Sequence, residues 1–307
     1  MKFSFQLPLD KVHAADQFLT GAAVAEMARA LEQAGIDACY VTDHPAPSER
    51  WLKSGGHHTL DPFVALAFAA AATTRLKLHT NIVVVPYRNP FLIAKSIASL
   101  DVLSGGRVIM GLGAGYLEGE FEALGAVFKG RGAVMDEAVE VMKLAWTGNP
   151  VFYDGKHFKA QGNIALPVPA QSPHPPIWVG GNSERAMRRV AEGLDGWSPF
   201  PVRGRMSERV RTDVIADATD LKRKIGELRA MAEQAGRTAP LDVTFVPFAL
   251  TMQSKERPAA EAIVEELVDF AAAGVTWSVV ALPCDTRVQY LENVEWFARE
   301  VMARLPA

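Results

Sequence analysis

Short runs of β-branched and aromatic residues alternate with amphipathic segments along the whole chain, and this alternation strongly constrains the fold. Such alternation is typical of a parallel sheet covered by helices. The predicted strands cover residues 2–6, 37–42, 76–85, 107–112, 177–179, 196–197, 241–248 and 276–282. Eight strand–helix units in 307 residues favour a closed (β/α)8 TIM barrel of the α/β class over a doubly wound open sheet.

Capping residues mark several helix boundaries. Asp61-Pro62 and Asn89-Pro90 each place an N-cap side chain before a proline, which is the pattern of a helix start. Gly35 is expected to end the first long helix in the left-handed conformation. The span 115–175 is predicted to hold a helix near 133–146 and a hairpin near 151–158, and the span 199–215 is predicted to be a loop. We therefore expect one domain over residues 1–307, with an insertion over residues 115–175 after the fourth strand.

Composition narrows the class of protein. Hydrophobic residues make up 49% of the chain, and the formal net charge of −3 gives no reason to expect a nucleic acid or an acidic membrane as a partner. The two cysteines, Cys39 and Cys284, are too few for a disulfide framework or a metal knuckle. The first ten residues contain no apolar signal segment, and no apolar run is long enough to span a bilayer. The cytoplasm is the expected compartment.

The active site of a (β/α)8 barrel lies at the carboxyl ends of its strands. The residues predicted at these ends are Gln6, Asp43, His44, Asn81, Ile82, Gly113, Ala114, Gly115, Tyr116, Gly180, Gly181, Asn182, Ser183 and Trp197. They include no lysine for a Schiff base and no cluster of metal ligands, so no metal is expected. The loop pair His57-His58 is interpreted as solvated rather than as a ligand pair.

His44 is the candidate catalytic residue, because a histidine can accept or donate a proton near neutral pH. From its position alone, a capping role after the second strand is an equal alternative. Asp43 could cap a turn or contact a ligand. The glycines of 111–115 resemble part of a dinucleotide fingerprint, but Tyr116 stands where its last glycine is required, so NAD is not indicated. We expect these glycines to let a flat ring or a phosphate approach the backbone instead.

The segment 180–183 ends a strand and opens a helix. The N–H groups and the dipole of a helix N-terminus favour a phosphate, and Asn182 and Ser183 could add side-chain donors. A capped helix without a ligand is the alternative.

Four segments together resemble the bacterial-luciferase-like flavin-dependent oxidoreductases. They are YVTDH at 40–44, the run from LHTNIVVVPYRNP to GLGAGYLEGEFEALG at 78–125, RG…DE at 131–137, and HPPIWVGGNSERAMRRVAEGLDGW at 174–197. The resemblance covers residues 1–197 well and the remainder only by architecture. It is closest to the branch of the family that uses the deazaflavin coenzyme F420.

The resemblance implies that a flavin-type ring lies across the strand ends, with Asp43 beside it and His44 as its proton donor or acceptor. It also implies a non-proline cis peptide bond at Asn81-Ile82, forming a bulge behind the ring. The residues implied to line the cofactor or hold its phosphate are Ala114, Gly115, Gly180, Gly181, Asn182 and Ser183.

The function implied first is hydride transfer between coenzyme F420 and a small organic substrate. The alternative is a monooxygenase that uses O2 and reduced FMN from a partner reductase. A non-catalytic cofactor-binding protein is disfavoured by His44, and a phosphate-binding isomerase or lyase is disfavoured by the residues missing at the strand ends. Sugar-phosphate dehydrogenases of the family carry a glutamate near the position of Tyr116, so a sugar phosphate is not expected as substrate. The resemblance also implies a homodimer, with substrate choice residing in 115–175 and 199–215.

Overall fold

The computed structural model describes residues 1–204, 206–250 and 256–306. Its strands are β1 (Lys2–Gln6), β2 (Ala38–Val41), β3 (Lys77–Val84), β4 (Val108–Gly113), β5 (Val151–Asp154), β6 (Lys159–Asn163), β7 (Ile177–Gly180), β8 (Gly196–Ser198), β9 (Asp242–Phe245) and β10 (Trp277–Val280). All except β5 and β6 are parallel and close into a barrel in the order β1-β2-β3-β4-β7-β8-β9-β10. The predicted (β/α)8 barrel is confirmed.

Helices cover the outside of the barrel. They are α1 (Ala15–Phe18), α2 (Gly21–Gln33), α3 (Glu49–Lys53), α4 (Pro62–Ala72), α5 (Pro90–Ser104), α6 (Glu118–Ala123), α7 (Arg131–Ala145), α8 (Glu184–Ala191), α9 (Met206–Val210), α10 (Ala218–Gln234), α11 (Ala260–Ala273) and α12 (Arg287–Glu300). The larger core lies between strands and helices. Phe3 and Phe5 of β1, for example, both pack edge-to-face on Phe297 of α12.

The predicted helix boundaries are confirmed by their caps. The Asp61 carboxylate accepts hydrogen bonds from the backbone N–H groups of Phe63 and Val64, and the Asn89 side chain accepts one from Phe91. Gly35 follows α2 with a φ of +77°, the left-handed conformation that glycine adopts without a steric cost.

Two connections differ in detail from the sequence-based expectation. Between β4 and β7 the chain forms α6, α7 and the antiparallel hairpin β5–β6. Since α7 packs beside α5 in the helical ring, an insertion of the whole span 115–175 is not confirmed. The span 199–215, predicted as a loop, contains α9 and is closed by a bridge between Val202 and Ile215.

The barrel interior holds a buried histidine below the strand ends. His79 of β3 is fully buried, its Nδ1 atom lies 3.0 Å from Oγ of Ser4, and its ring meets Trp178 edge-on. Burial lowers the pKa of His79 to about 3, so its ring is neutral at physiological pH.

In the described part of the chain, no helix is long and apolar enough to cross a membrane. Cys39 and Cys284 are both buried and unbridged.

Candidate functional site

The candidate site lies at the carboxyl ends of β2, β3, β4 and β7, which are consecutive in the barrel. The residues that the sequence predicts for catalysis or cofactor binding end or follow one of these four strands, except Asn81 and Ile82, which lie within β3 at its bulge. The parallel order of the strands therefore gathers segments more than 130 residues apart at one barrel mouth.

His44 is held by a buried carboxylate. Its Nδ1 atom lies 3.3 Å from Oε2 of Glu120, whose side chain is wholly inaccessible to solvent. An ionised carboxylate can only accept hydrogen bonds, so Nδ1 of His44 carries the proton in this pair and Nε2 is left to exchange a proton with a ligand.

The same carboxylate joins three segments of the site. The Oε1 atom of Glu120 accepts a hydrogen bond from the backbone N–H of Ala46, and Oε2 accepts one from the Tyr87 hydroxyl at 3.0 Å. Burial, followed by the negative charge of Glu120, raises the pKa of Tyr87 well above its ordinary value. The same two causes raise the pKa of Tyr116 to about 12. Both phenols are therefore neutral hydrogen-bond donors at the mouth of the barrel.

A tryptophan and a second histidine flank the His44 ring. The Trp51 indole lies against it with ring centroids 4.5 Å apart, and the His57 ring meets it edge-on at 4.9 Å. His57 also lies 3.1 Å from the Thr42 hydroxyl, and burial, reinforced by His44, lowers its pKa to about 4. The interpretation of His57-His58 as a solvated pair is wrong for His57, because the turn after α3 folds it over the strand end. His58 is exposed as expected.

Asp43 is engaged by the protein itself. Its two carboxylate oxygens receive a paired hydrogen bond from the Arg88 guanidinium at 2.6 and 2.9 Å, and one of them also accepts from the backbone N–H of Val84. This buried ion pair ties the end of β2 to the end of β3. Contact between Asp43 and a cofactor stays a prediction.

The Asn81-Ile82 peptide bond is cis, as the resemblance implies. The register between β3 and β4 shifts between Thr80 and Val83, so the implied bulge is also present. Both residues are partly exposed at the mouth, and the Asn81 amide makes no hydrogen bond within the described part of the chain.

Glycines around this bulge have a different role from the expected one. A Cβ atom on Gly113 would lie 2.3 Å from Cδ1 of Ile82, and one on Gly180 would lie 2.6 Å from the same atom. Gly113 and Gly180 therefore make room for the Ile82 side chain, whereas a Cβ atom on Gly111 would lie closest to the Thr80 carbonyl oxygen. The expectation that the glycines of β4 admit a ligand is therefore wrong for Gly111 and Gly113.

Ala114 and Gly115 leave the end of β4 at the rim. Gly115 has a φ of +78°, and a Cβ atom there would lie 2.6 Å from Val84, so the position requires glycine for two reasons. Its carbonyl accepts a hydrogen bond of 2.7 Å from Nε of Arg131.

The segment 180–183 forms the turn into α8. Ser183 is the N-cap, and its Oγ atom accepts from the backbone N–H of Ala186 at 3.3 Å. The backbone N–H groups of Ser183, Glu184 and Arg185 have no acceptor within the described residues. This arrangement fits a phosphate oxygen.

Asn182 is buried and has a structural role. Its amide donates to the carbonyls of Phe200 and Asp213, and its oxygen accepts from the Phe200 N–H. Gly181 donates its N–H to Ser198. A phosphate contact by the Asn182 side chain therefore stays a prediction, and the geometry favours Ser183 and the helix backbone over it. Trp197 is also structural, since it is buried and donates its indole N–H to the Gly181 carbonyl.

Several site residues were not singled out from the sequence, namely Glu120, Trp51, Tyr87, Arg88 and Arg131. None of them stands at a strand end. Glu120, Trp51, Tyr87 and Arg88 lie on short helices or turns that connect the strands, and Arg131 is the first residue of α7. Glu120 had one detectable signal: a glutamate directly before Phe121, on a short amphipathic segment after a predicted strand.

Known proteins resemble this chain over its length. The family model of the luciferase-like monooxygenases matches residues 1–303. An uncharacterized protein of Mycobacterium tuberculosis is 31% identical over 268 residues, which cover 80% of this chain and 92% of that protein. An F420-dependent glucose-6-phosphate dehydrogenase of Gordonia bronchialis is 33% identical over 182 residues, or 57% of this chain and 51% of that enzyme. The monooxygenase RslO1 of Streptomyces bottropensis shares the fold with a TM-score of 0.78 at 20% identity, over 99% of both chains. The chain belongs to the luciferase-like monooxygenase family.

Proposed function

We propose that this protein transfers a hydride between coenzyme F420 and a small organic substrate, with His44 moving the accompanying proton. The observation that carries the proposal is the pairing of His44 with the buried Glu120 carboxylate at the barrel mouth. A carboxylate behind one nitrogen of an imidazole orients the ring and holds a proton on that nitrogen, so the other nitrogen is free to act as a general acid or base.

The residues at the mouth fit a deazaflavin. The free N–H groups at the start of α8 offer a phosphate site, and the Ile82 bulge with the unpartnered Asn81 amide offers a surface for a flat ring. A bound deazaflavin supplies the hydride-transfer chemistry. The protein supplies position and a partly closed site, since Trp51 covers one face of His44.

The proton step is assigned to Nε2 of His44. Because Glu120 keeps the other ring nitrogen protonated, Nε2 can take a proton from an alcohol that is being oxidised or give one to a carbonyl that is being reduced. The Tyr87 hydroxyl donates its proton to Glu120, whereas the neutral Tyr116 hydroxyl is available to orient a substrate oxygen.

The similarity to the F420-dependent enzyme of Gordonia bronchialis supports the choice of cofactor. Tyr116 supports a substrate other than a sugar phosphate, because the sugar-phosphate dehydrogenases of the family carry a glutamate near this position. We therefore place alcohols, enones and imines first in the substrate search.

An anaerobic single-turnover experiment tests the proposal. Protein loaded with reduced F420 is mixed with a panel of ketones, enones and imines, and the return of the oxidised deazaflavin absorbance is followed. Oxidation that depends on both protein and substrate, without oxygen, supports hydride transfer. The proposal is contradicted if no member of the panel oxidises the reduced cofactor and if the oxidised cofactor oxidises no alcohol.

A reduced-FMN monooxygenase is the second candidate, since the matching family model and RslO1 both carry the name monooxygenase. It requires a partner reductase to supply reduced FMN. Oxygen consumption coupled to substrate hydroxylation, seen with reduced FMN and not with reduced F420, favours this candidate.

We also propose that two copies of the chain pair through α4 and α5. The sequence of α4, PFVALAFAAAA, contains no polar side chain, yet Val64 is 59% exposed and Phe68 is 52% exposed. Leu92 on the neighbouring α5 is 67% exposed. A helix that is apolar on all faces is normally buried, and a second copy would cover it. Sedimentation of the wild type as a dimer, and of Phe68→Glu as a monomer, supports this pairing; a monomeric wild type contradicts it.

A further inference from the structure

Two arginines hold the same phenyl ring at the rim of the site. The guanidinium carbon of Arg131 lies 4.0 Å from the ring centroid of Phe128, and that of Arg211 lies 4.6 Å from it. Phe128 is fixed in turn by an edge-to-face contact with the buried ring of Phe121. Two guanidinium groups from distant parts of the chain thus pack on the same ring.

The positive charges of Arg131 and Arg211 have few anionic partners within the described residues. The Nε–H group of Arg131 donates a hydrogen bond to the Gly115 carbonyl, and its two terminal nitrogens have no acceptor within the described residues. Arg211 has one ion pair, with Glu118 at 3.4 Å, and both side chains of that pair are more than half exposed. Exposed pairs of this kind contribute little to stability, so an incoming anion can displace Glu118 at small cost. Desolvation, followed by the charge of Arg211, lowers the pKa of Arg131.

The backbone at Arg211 is held in an unusual conformation. Within the described residues it is the one non-glycine residue with a positive φ, at 53°. Such residues occur where the surrounding structure requires them and are enriched at ligand sites. The side chain of the next residue, Thr212, accepts a hydrogen bond of 2.8 Å from the backbone N–H of Asn182. Arg211 is therefore anchored beside the turn at 180–183, which we call the phosphate turn.

A third arginine joins this surface. A Cβ atom on Gly132 would lie 3.3 Å from Nη1 of Arg185, which places that guanidinium beside the start of α7. Arg185 is exposed and makes no hydrogen bond or ion pair within the described residues. We call Arg131, Arg185 and Arg211 the arginine cluster. It adjoins the phosphate turn and carries more donors than one phosphate can use.

We propose that the arginine cluster binds the carboxylates of the oligoglutamate tail of F420, beyond the phosphate held at α8. The inference rests on the proposed function. Guanidinium groups match carboxylates through paired N–H donors, and several of them along an extended anion select for its length. FMN ends at its phosphate and offers no group for this cluster, so the cluster favours the deazaflavin with its tail.

Binding of two forms of the deazaflavin cofactor tests the inference: the complete coenzyme, and the tail-less form that ends before the first glutamate. Fluorescence titration of the wild type at low salt is expected to show about tenfold tighter binding of the complete form. The preference should shrink as salt screens the charges. Arg211→Gln should reduce the preference while leaving binding of the tail-less form unchanged, and Arg185→Gln combined with Arg211→Gln should reduce the preference further.

Arg299→Gln is the matched control, because it removes an exposed, ion-paired arginine from the opposite end of the barrel, near the end of α12. It should keep the full preference. Equal affinity of the wild type for both forms overturns the tail site and leaves the proposed function standing. Failure of both forms to bind overturns the proposed function as well.

Discussion

The Nδ1 atom of His44 lies 3.3 Å from the Oε2 atom of Glu120, and this contact joins the end of β2 to a short helix that follows β4. Glu120 accepts two further hydrogen bonds, from Ala46 and Tyr87, so its position is fixed without His44. The carboxylate is therefore a preformed support for the imidazole rather than a group that depends on it.

Replacement of His44 by alanine should lower kcat by about 10²–10⁴-fold if it is the general acid or base. Cofactor affinity should be retained, because the phosphate and ring sites lie on other strands. Steady-state kinetics and a binding titration check the two halves of this prediction. Unchanged turnover removes His44 from the proton step.

Glu120→Gln should lower kcat by about 10-fold or more. The substitution keeps the shape of the side chain, but the amide of glutamine can present a donor to Nδ1 of His44, so the proton is no longer held on that nitrogen. Steady-state kinetics measures kcat, and urea unfolding measures the free energy of unfolding as a control. A kcat equal to that of the wild type would contradict this role of Glu120.

Asp43→Asn should reduce the free energy of unfolding by about 2–3 kcal/mol, at or below the usual cost of breaking a buried ion pair, because Arg88 is partly exposed. Arg88→Gln should cost a similar amount, and the double variant should cost less than the sum of the two. Urea unfolding gives the three values. Additive costs, with a large loss of cofactor affinity in Asp43→Asn alone, would show that Asp43 serves the ligand instead.

Ser183→Ala should weaken the binding of a phosphorylated cofactor while sparing its riboflavin-like analogue, because the hydroxyl caps α8 beside the free N–H groups. Asn182→Ala should act differently. It removes three hydrogen bonds that hold the 200–213 segment, so it should lower stability and weaken both ligands. Equal loss of affinity for both ligands in Ser183→Ala contradicts the phosphate site.

The buried His79 should make stability depend on pH. Its pKa falls from an ordinary value of 6.5 in the unfolded chain to about 3 in the folded protein, so the unfolded chain binds the extra proton between these values. The contribution of neutral His79 to the free energy of unfolding is therefore complete above pH 6.5. It is lost as the pH falls from 6.5 to about 3, by up to about 1.4 kcal/mol per pH unit. His79→Gln should remove that slope from the pH dependence of urea unfolding. An unchanged slope would contradict the assignment.

Much of the fold follows from local signals in the sequence. The alternation of strands and helices predicts every barrel strand to within a few residues, and the capping residues Asp61 and Asn89 mark the starts of α4 and α5. Parallel pairing then forces the strand ends to one side, so Asp43, His44 and the 180–183 turn could be placed at one mouth without a structure.

The contacts around these residues could not be predicted in the same way. Glu120 lies 76 positions from His44, and no periodic pattern connects them. The glycines of β4 show the same limit, because a glycine indicates that another group lies close without identifying that group. The group is the Thr80 carbonyl at Gly111 and the Ile82 side chain at Gly113. Side chains such as Trp51 come from the connections between strands, whose path depends on tertiary packing.

A side-by-side fluorescence titration of the purified protein with F420 and FMN, each oxidised and reduced, tests the central claim most directly. We expect F420 to bind tightly and FMN to bind more weakly. The substitution Ile82→Ala changes only the surface for the ring, so the difference in affinity between F420 and FMN should persist in that variant. Preference for reduced FMN over both forms of F420 would contradict the account and point to oxygen insertion with a partner reductase.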